Sequence, residues 1–157
     1  MVASQAGEHP VVQHLVYITS FLPAVGETLA TLSSGSNPVP VIPHADGSVS
    51  VDADDTAAFD ARFLNDVADP DLVRGAHDRL CAQPPAVFGA DTTTAAWERI
   101  PSTYLVCADE RSTDPHLQRA QAARAGTIRE LPAGHFQFLS RPDLVAACIR
   151  DISPAPG

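Results

Sequence analysis

The chain has 157 residues, an apolar fraction of 45% and a formal net charge of −9, which suits one domain with a real core and is too short for two ordinary domains. No apolar run approaches the ~20 residues of a membrane span, and the N-terminal MVASQAGEHP lacks the basic and apolar regions of a signal peptide. We therefore expect a cytoplasmic protein without a membrane partner, and the acidic balance argues against nucleic acid.

The cysteines and histidines show no metal-ligand spacing. Cys81, Cys107 and Cys148 contain no CxxC pair, so we expect free thiols in a reducing compartment, with the latter two packed in the core. Five histidines lack both an HxxxH spacing and a carboxylate at a convincing offset, and we interpret them as structural: His9, His14, His44, His77 and His116. We predict no metal and no cofactor.

The first part of the chain predicts one buried strand between two helical pieces. Residues 1–9 read as the end of a helix. The run VVQHLVYITSF, residues 11–21, is rich in β-branched and aromatic residues, which is typical of a parallel strand buried on both faces. GETLATL predicts one short helix.

A mostly helical lid is predicted over residues 33–97. They begin with a stretch rich in Pro, Gly, Ser and Asp in which PVPVI and SVSVD favour a small hairpin, and long excursions of this kind are usually lids or binding loops. TAAFDARFLNDVADP predicts a helix closed near Pro70, and a second runs from Asp69 or Asp71 to about Ala82. TTTAAWERIP predicts a short helix. The aromatic residues expected to pack the lid are Phe59, Phe63, Phe88 and Trp97.

The last part of the chain alternates strands and helices. STYLVCADE predicts a buried strand over 103–107, and TIRELPAG predicts a short strand over 127–131. Between them lies a helix with Asp114 as N-cap, Pro115 at its first position and Gly126 beyond its end. SRPDLVAACIRDI predicts the final helix, with a capping-box spacing of Ser140 and Asp143.

This order of elements predicts an α/β fold with a short parallel sheet, whose core is residues 1–32 and 98–157. Acidic residues follow the strand 103–107, and His135 follows the next strand. Active sites in open α/β sheets lie outside the carboxyl ends of the strands. An acid that holds an imidazole supplies two-thirds of a hydrolytic triad.

The sequence resembles the α/β-hydrolases, most closely the small-esterase branch that includes salicylate-type methyl esterases and hydroxynitrile lyases. The resemblance is carried, in family order along most of the chain, by HPVVQHLVYITSFLPAVGETL, FLNDVADPD, LCAQPPAVF, IPSTYLVCADERSTDPHLQRAQAARA and ELPAGHFQFLSRPDLVA. It implies carboxylic-ester hydrolase chemistry on a small-molecule ester.

The resemblance also implies roles for individual residues. His135 occupies the position of the triad histidine, and Glu110 occupies that of the triad acid, usually an Asp in the family. Asp109 is the neighbouring alternative for the acid. Phe136 stands where the lyase branch has a Lys, which favours ester hydrolysis over cyanohydrin cleavage.

The chain departs from the family at the nucleophile, because no G-x-S-x-G occurs in it. The family's elbow, of the type G-H-S-x-G-G, would directly precede MVASQAGEHP, so we expect the chain to be the C-terminal part of the fold. Ser4 lies in a helix-like context without the elbow's glycines. Ser20 follows a strand at its carboxyl end and could reach the site, but neither serine has an evident oxyanion hole.

Three hypotheses remain open from the sequence. In the first, an esterase receives its serine from outside this chain, through a complementing N-terminal half or a partner subunit. In the second, His135 and Glu110 act without a nucleophile as a general acid–base pair in a lyase, isomerase or cyclase. In the third, the chain is a non-catalytic truncated remnant whose open sheet edge favours a homo-oligomer.

Overall fold

The computed structural model describes residues 2–34, 40–52 and 55–152. Its strands are β1 (Leu15–Ile18), β2 (Val41–Pro43), β3 (Val49–Val51), β4 (Ser102–Cys107) and β5 (Thr127–Leu131). Its helices are α1 (Val2–Ala6), α2 (Leu29–Leu32), α3 (Thr56–Phe63), α4 (Pro70–His77), α5 (Ala86–Gly89), a 3₁₀ helix (Ala96–Glu98), α6 (Pro115–Ala122), α7 (Gln137–Ser140) and α8 (Pro142–Ile152). No helix within these ranges is both long enough and apolar enough to cross a bilayer.

A parallel sheet of order β1-β4-β5 forms the centre of the described chain. β4 is buried along its whole length, as its run of β-branched and apolar residues predicts. Both neighbours run parallel to β4: Leu15 of β1 lies opposite Ser102, and Leu131 of β5 lies opposite Cys107. The carboxyl ends of all three strands therefore meet at one edge of the sheet.

The predicted strand over 11–21 is too long. The ladder begins with the Leu15 N–H donating to the Pro101 carbonyl at 2.9 Å, and Pro101 itself has no N–H for a residue farther upstream. At the other end Thr19 has a φ of 43°, which turns the chain out of the sheet. Val16 is only half-buried, because β1 pairs with β4 alone among the described strands.

Side chains alternate from β4 into two apolar layers. Tyr104 and Val106 pack on one face with Leu15, Tyr17 and other residues, and Ala122 of α6 closes that layer. The opposite layer contains Leu105, Cys107, Leu131, Ala133, Val145 and Cys148. Helices therefore cover both faces of the sheet, and the predicted core positions of Cys107 and Cys148 are confirmed.

Residues 40–97 add a small hairpin and a third apolar cluster. β2 and β3 pair antiparallel, which confirms the predicted hairpin, although residues 35–39 and 53–54 lie outside the described chain. Phe59, Phe63 and Leu64 form the centre of the cluster, and Phe136 packs against it. Trp97 does not belong to it: the indole packs on the sheet layer and donates to the Pro23 carbonyl at 2.8 Å.

Several helix boundaries differ from the predictions. α3 ends at Phe63 and not near Pro70, and α4 ends at His77 and not near Ala82. α5 was not predicted, since four residues are too few for a helical period to show. The capping box of the last helix is wrong, because Ser140 ends α7 and its hydroxyl donates to Asp66 at 2.6 Å.

Candidate active site

The loop after β4 turns the Glu110 carboxylate inward. The Ala108 and Asp109 N–H groups still donate to carbonyls of the β5 side, at 2.9 and 3.1 Å, and the chain then turns sharply. The Glu110 side chain is only 1% exposed. Its Oε1 accepts hydrogen bonds from the N–H groups of Ser112 and Thr113, at 2.5 and 3.0 Å. These donors fix the carboxylate and offset the loss of its hydration.

His135 faces this carboxylate from the loop after β5. Its Nδ1 lies 2.8 Å from Oε2 of Glu110, and its side chain is 22% exposed. The imidazole stands edge-on to the Phe63 ring at a centroid distance of 5.3 Å, and the Phe136 ring lies at 5.2 Å. The ring is thus oriented by one polar contact and two aromatic contacts.

The arrangement leaves one imidazole nitrogen available for chemistry. An ionised carboxylate only accepts hydrogen bonds, so beside an ionised Glu110 the neutral imidazole carries its proton on Nδ1 and its lone pair on Nε2. Among the described residues, no hydrogen bond to Nε2 is found. A buried acid behind a partly exposed imidazole is the geometry of a general base.

Of the acidic residues that follow β4, Glu110 and not Asp109 contacts His135. Asp109 is exposed, and its carbonyl accepts a hydrogen bond from Nδ2 of Asn65 at 3.0 Å. Arg111 is also exposed, so Glu110 is not the solvated surface acid that its position beside Arg111 could suggest.

Neither serine considered from the sequence is bonded to His135. Ser4 is fully buried, and its hydroxyl lies 2.9 Å from the Tyr17 hydroxyl. Ser20 is exposed past the end of β1, on the same sheet edge as the dyad. Its carbonyl accepts from the Tyr104 hydroxyl at 2.8 Å.

Cys107 lies directly beneath the acid loop without being a reactive thiol. Burial, together with the nearby carboxylates of Glu110, Asp66 and Asp109, raises the pKa of its thiol from 9.0 to about 12. The thiol is therefore protonated at neutral pH and is not a nucleophile.

Two polar clusters were missed in the sequence. Nε2 of His77 lies 2.7 Å from Oδ1 of Asp60, so the expectation that His77 has no carboxylate partner is wrong; the pair joins α4 to α3 and becomes adjacent only in three dimensions. Asp66 bonds to the His135 loop from FLNDVADPD, a stretch that carries the family resemblance but pointed to no role for Asp66. Within the described residues, no three His, Cys, Asp or Glu side chains are grouped so as to hold a metal ion.

With this geometry in place, the comparisons identify the class of protein. A family model described as "Alpha/beta hydrolase family" matches residues 1–148, and the chain belongs to that family. A curated relative, Alpha/beta hydrolase nvfD of Aspergillus novofumigatus, is 33% identical in an alignment 154 residues long that covers 92% of this chain and 58% of the relative.

Solved structures share the fold. A pyrethroid hydrolase from Sphingobium faniae JZ-2 superposes with a TM-score of 0.75 at 23% identity, over 99% of this chain and 66% of its own. Polyneuridine aldehyde esterase gives a TM-score of 0.76 at 14% identity, over 98% of this chain and 66% of the esterase. A methylesterase from Arabidopsis gives 0.64 at 16% identity, over 90% and 59%. The chain thus spans somewhat less than two thirds of the length of these proteins.

Proposed function

We propose that this chain carries the histidine and acid of a carboxylic-ester hydrolase that acts on a small-molecule ester. The observation that carries the proposal is the 2.8 Å contact between Nδ1 of His135 and Oε2 of Glu110 at the carboxyl edge of the sheet. The pyrethroid hydrolase, the polyneuridine aldehyde esterase and the methylesterase among the fold neighbours support assignment to an esterase branch.

In this mechanism His135 is the general base. Its Nε2 removes the proton from a serine hydroxyl as that oxygen attacks the ester carbonyl, and then returns the proton to the departing alkoxide. Glu110 stays ionised, keeps the proton on Nδ1 and stabilises the imidazolium. Because Glu110 already accepts two backbone N–H groups, it needs no rearrangement during the reaction.

The serine in this proposal comes from polypeptide outside these 157 residues. No G-x-S-x-G is present, Ser4 is sealed in the core, and β1 has an unpaired side among the described strands. A complementing segment would add a strand along that side and bring its serine to the edge where His135 lies. An in-frame G-H-S-x-G-G in the DNA upstream of the first codon would identify the segment.

Residues 33–97 are proposed as the lid over this site. Among the described residues, a cavity of about 160 Å³ lies between the hairpin and α3, with Phe59 and Phe63 in its wall. Phe63 also contacts His135, so an apolar part of the substrate held in this cavity would lie beside the base.

The test is turnover of p-nitrophenyl acetate, with and without the serine-directed reagent PMSF, by this chain together with the complementing segment that supplies the serine. Turnover that PMSF blocks and that His135→Ala abolishes supports the esterase. His116→Ala is a matched control, since His116 is exposed on α6. PMSF-sensitive turnover that survives in His135→Ala would overturn the assignment.

A second candidate is a general acid–base enzyme without a nucleophile, such as a lyase, isomerase or cyclase. The observation that favours it is that Glu110 and His135 are in contact although neither Ser4 nor Ser20 is bonded to His135. Turnover that resists PMSF but is lost in His135→Ala would support this reading. If no turnover is found even with the complementing segment and the chain self-associates in solution, the non-catalytic oligomer is favoured instead. The cytoplasmic location stays a prediction.

A further inference from the structure

The turn after α3 touches both loops that carry the dyad. Nδ2 of Asn65 donates to the Asp109 carbonyl at 3.0 Å. Oδ2 of Asp66 accepts from the Gly134 N–H and from the Ser140 hydroxyl, both at 2.6 Å. Two consecutive side chains therefore bind backbone groups one residue before Glu110 and one residue before His135.

Neighbouring residues of the same segment reinforce this connection. Nη2 of Arg62 donates to the Ser112 carbonyl at 3.2 Å, in the turn whose N–H groups hold Glu110. The Phe63 ring meets the His135 imidazole edge-on. The end of α3 and the following turn thus contact the acid loop twice, the histidine loop twice and the end of α7 once.

The turn after α3 packs so closely against position 134 that only a glycine fits there. A Cβ at Gly134 would lie 2.6 Å from Oδ1 of Asn65 and 2.6 Å from Oδ1 of Asp66, closer than atoms pack. Both of these oxygens are buried, and among the described residues neither has a hydrogen-bond partner. Close approach of the two segments thus leaves two oxygens desolvated, and this lowers the stability of the fold. Such a cost indicates that the relative position of the two segments matters.

We propose that Asp66, assisted by Asn65, is a positioning residue that sets the His135 loop against Glu110; this rests on the function proposed above. Asp66 bonds to Gly134 and Ser140 and not to the imidazole, so it acts through the loop. Both bonds use a single oxygen. An amide at position 66 retains an oxygen that can accept both donors, whereas alanine retains none.

The test reads the tautomer of His135 by ¹⁵N NMR of the folded 157-residue chain, independently of turnover. The wild-type chain and Asp66→Asn are expected to show the Nδ1–H tautomer that Glu110 selects. Asp66→Ala is expected to lose that preference and approach the shifts of the urea-unfolded chain, because the loop is released and the ring is no longer held against Glu110. Asn65→Ala is expected to cause a smaller change in the same direction.

The outcomes distinguish this inference from the proposed function. A folded Asp66→Ala chain that keeps the Nδ1–H tautomer would overturn the positioning role and leave the dyad standing. A wild-type chain without that tautomer would overturn the dyad itself. If Asp66→Ala does not fold, Ser140→Ala and Asn65→Ala decide: a wild-type tautomer in both, with Asp66→Asn unchanged, rejects the inference.

Discussion

Nδ1 of His135 lies 2.8 Å from Oε2 of Glu110, and the other oxygen of that carboxylate is held by two backbone N–H groups. The acid therefore has a fixed orientation before any substrate arrives. Side-chain exposure of 1% for Glu110 and 22% for His135 places the acid behind the base. In our proposal a glutamate serves where the family usually has an aspartate, and the turn of the loop allows this because it brings the longer side chain back beneath the imidazole.

Glu110→Gln tests the orienting role without changing the size of the side chain. The glutamine oxygen can still accept from Ser112 and Thr113, but its amide group then faces His135 and donates to Nδ1. The proton is forced onto Nε2, and the base is lost. We expect turnover to fall by about 10⁴-fold with little change in the melting temperature, by analogy with an acid-to-amide change in a serine hydrolase triad.

Steady-state kinetics and thermal melts of the same preparation check this prediction. Asp109→Asn is the matched control, since Asp109 is exposed and contributes its backbone carbonyl. Full activity in Glu110→Gln would show that the carboxylate is not needed. A large loss of turnover in Asp109→Asn would show that Asp109, and not Glu110, is the acid.

Local features were predicted well from the sequence. β5 spans residues 127–131 as predicted, and the Asp114 carboxylate caps α6 by accepting from His116 and Leu117. A helix cap depends on atoms a few residues apart, so the pattern contains what is needed. Glu110 and His135 each follow a strand directly along the chain, so their positions past two strand ends could be predicted for the same reason, whereas their roles rested on the family resemblance.

Features that depend on distant partners could not be predicted. The strand over 11–21 was drawn too long because its length is set by where β4 begins, and apolar periodicity does not report that. Ser140 fits a capping box in sequence, yet Asp66 takes its hydroxyl in the folded chain. Asp66 itself lies in a stretch that reads as an ordinary helix end, so its contact with Gly134 appears only in three dimensions.

Gly134→Ala is expected to destabilise the fold and loosen the site. The new methyl group would overlap the side-chain oxygens of Asn65 and Asp66 at 2.6 Å, so either the turn or the histidine loop must move. We expect the free energy of unfolding to fall by about 1–3 kcal/mol, as for other overpacked sites. Denaturant titration measures it.

Gly89→Ala is the matched control for this substitution, because a Cβ at Gly89 meets no atom within 4 Å. It should be neutral or raise the free energy of unfolding by up to about 1 kcal/mol, through a less flexible unfolded chain. Equal effects at positions 134 and 89 would contradict the close contact at Gly134.

Ser4→Ala should reduce stability and leave chemistry unchanged. Ser4 is fully buried, and its loss strands the Tyr17 hydroxyl, whose pKa burial already raises. A buried hydroxyl without its partner costs about 1–3 kcal/mol. Ser20→Ala, at an exposed position, should change the free energy of unfolding by less than about 0.5 kcal/mol.

The two serine variants are compared by denaturant titration and by turnover with PMSF. Any PMSF-sensitive turnover should be the same in both variants as in the parent chain, because the proposed serine lies elsewhere. Loss of that turnover in Ser20→Ala alone would identify Ser20 as the nucleophile and remove the need for a complementing segment.

Stability should fall as the pH rises from about 9 to about 12. In the unfolded chain the Cys107 thiol ionises near its ordinary pKa of 9.0, whereas in the folded chain burial raises that pKa to about 12. Between these values the unfolded state has lost a proton that the folded state retains, so each pH unit removes up to about 1.4 kcal/mol. The raised pKa of the buried Tyr104 phenol, caused mainly by desolvation, acts in the same direction above pH 10.

Denaturant titrations at pH 7, 9, 10 and 11 measure this loss of stability. Cys107→Ala should be less stable at pH 7, because the buried sulfur leaves a cavity, but its stability should fall less steeply above pH 9. Equal slopes in the two proteins would show that the Cys107 thiol ionises as readily in the folded chain as in the unfolded one.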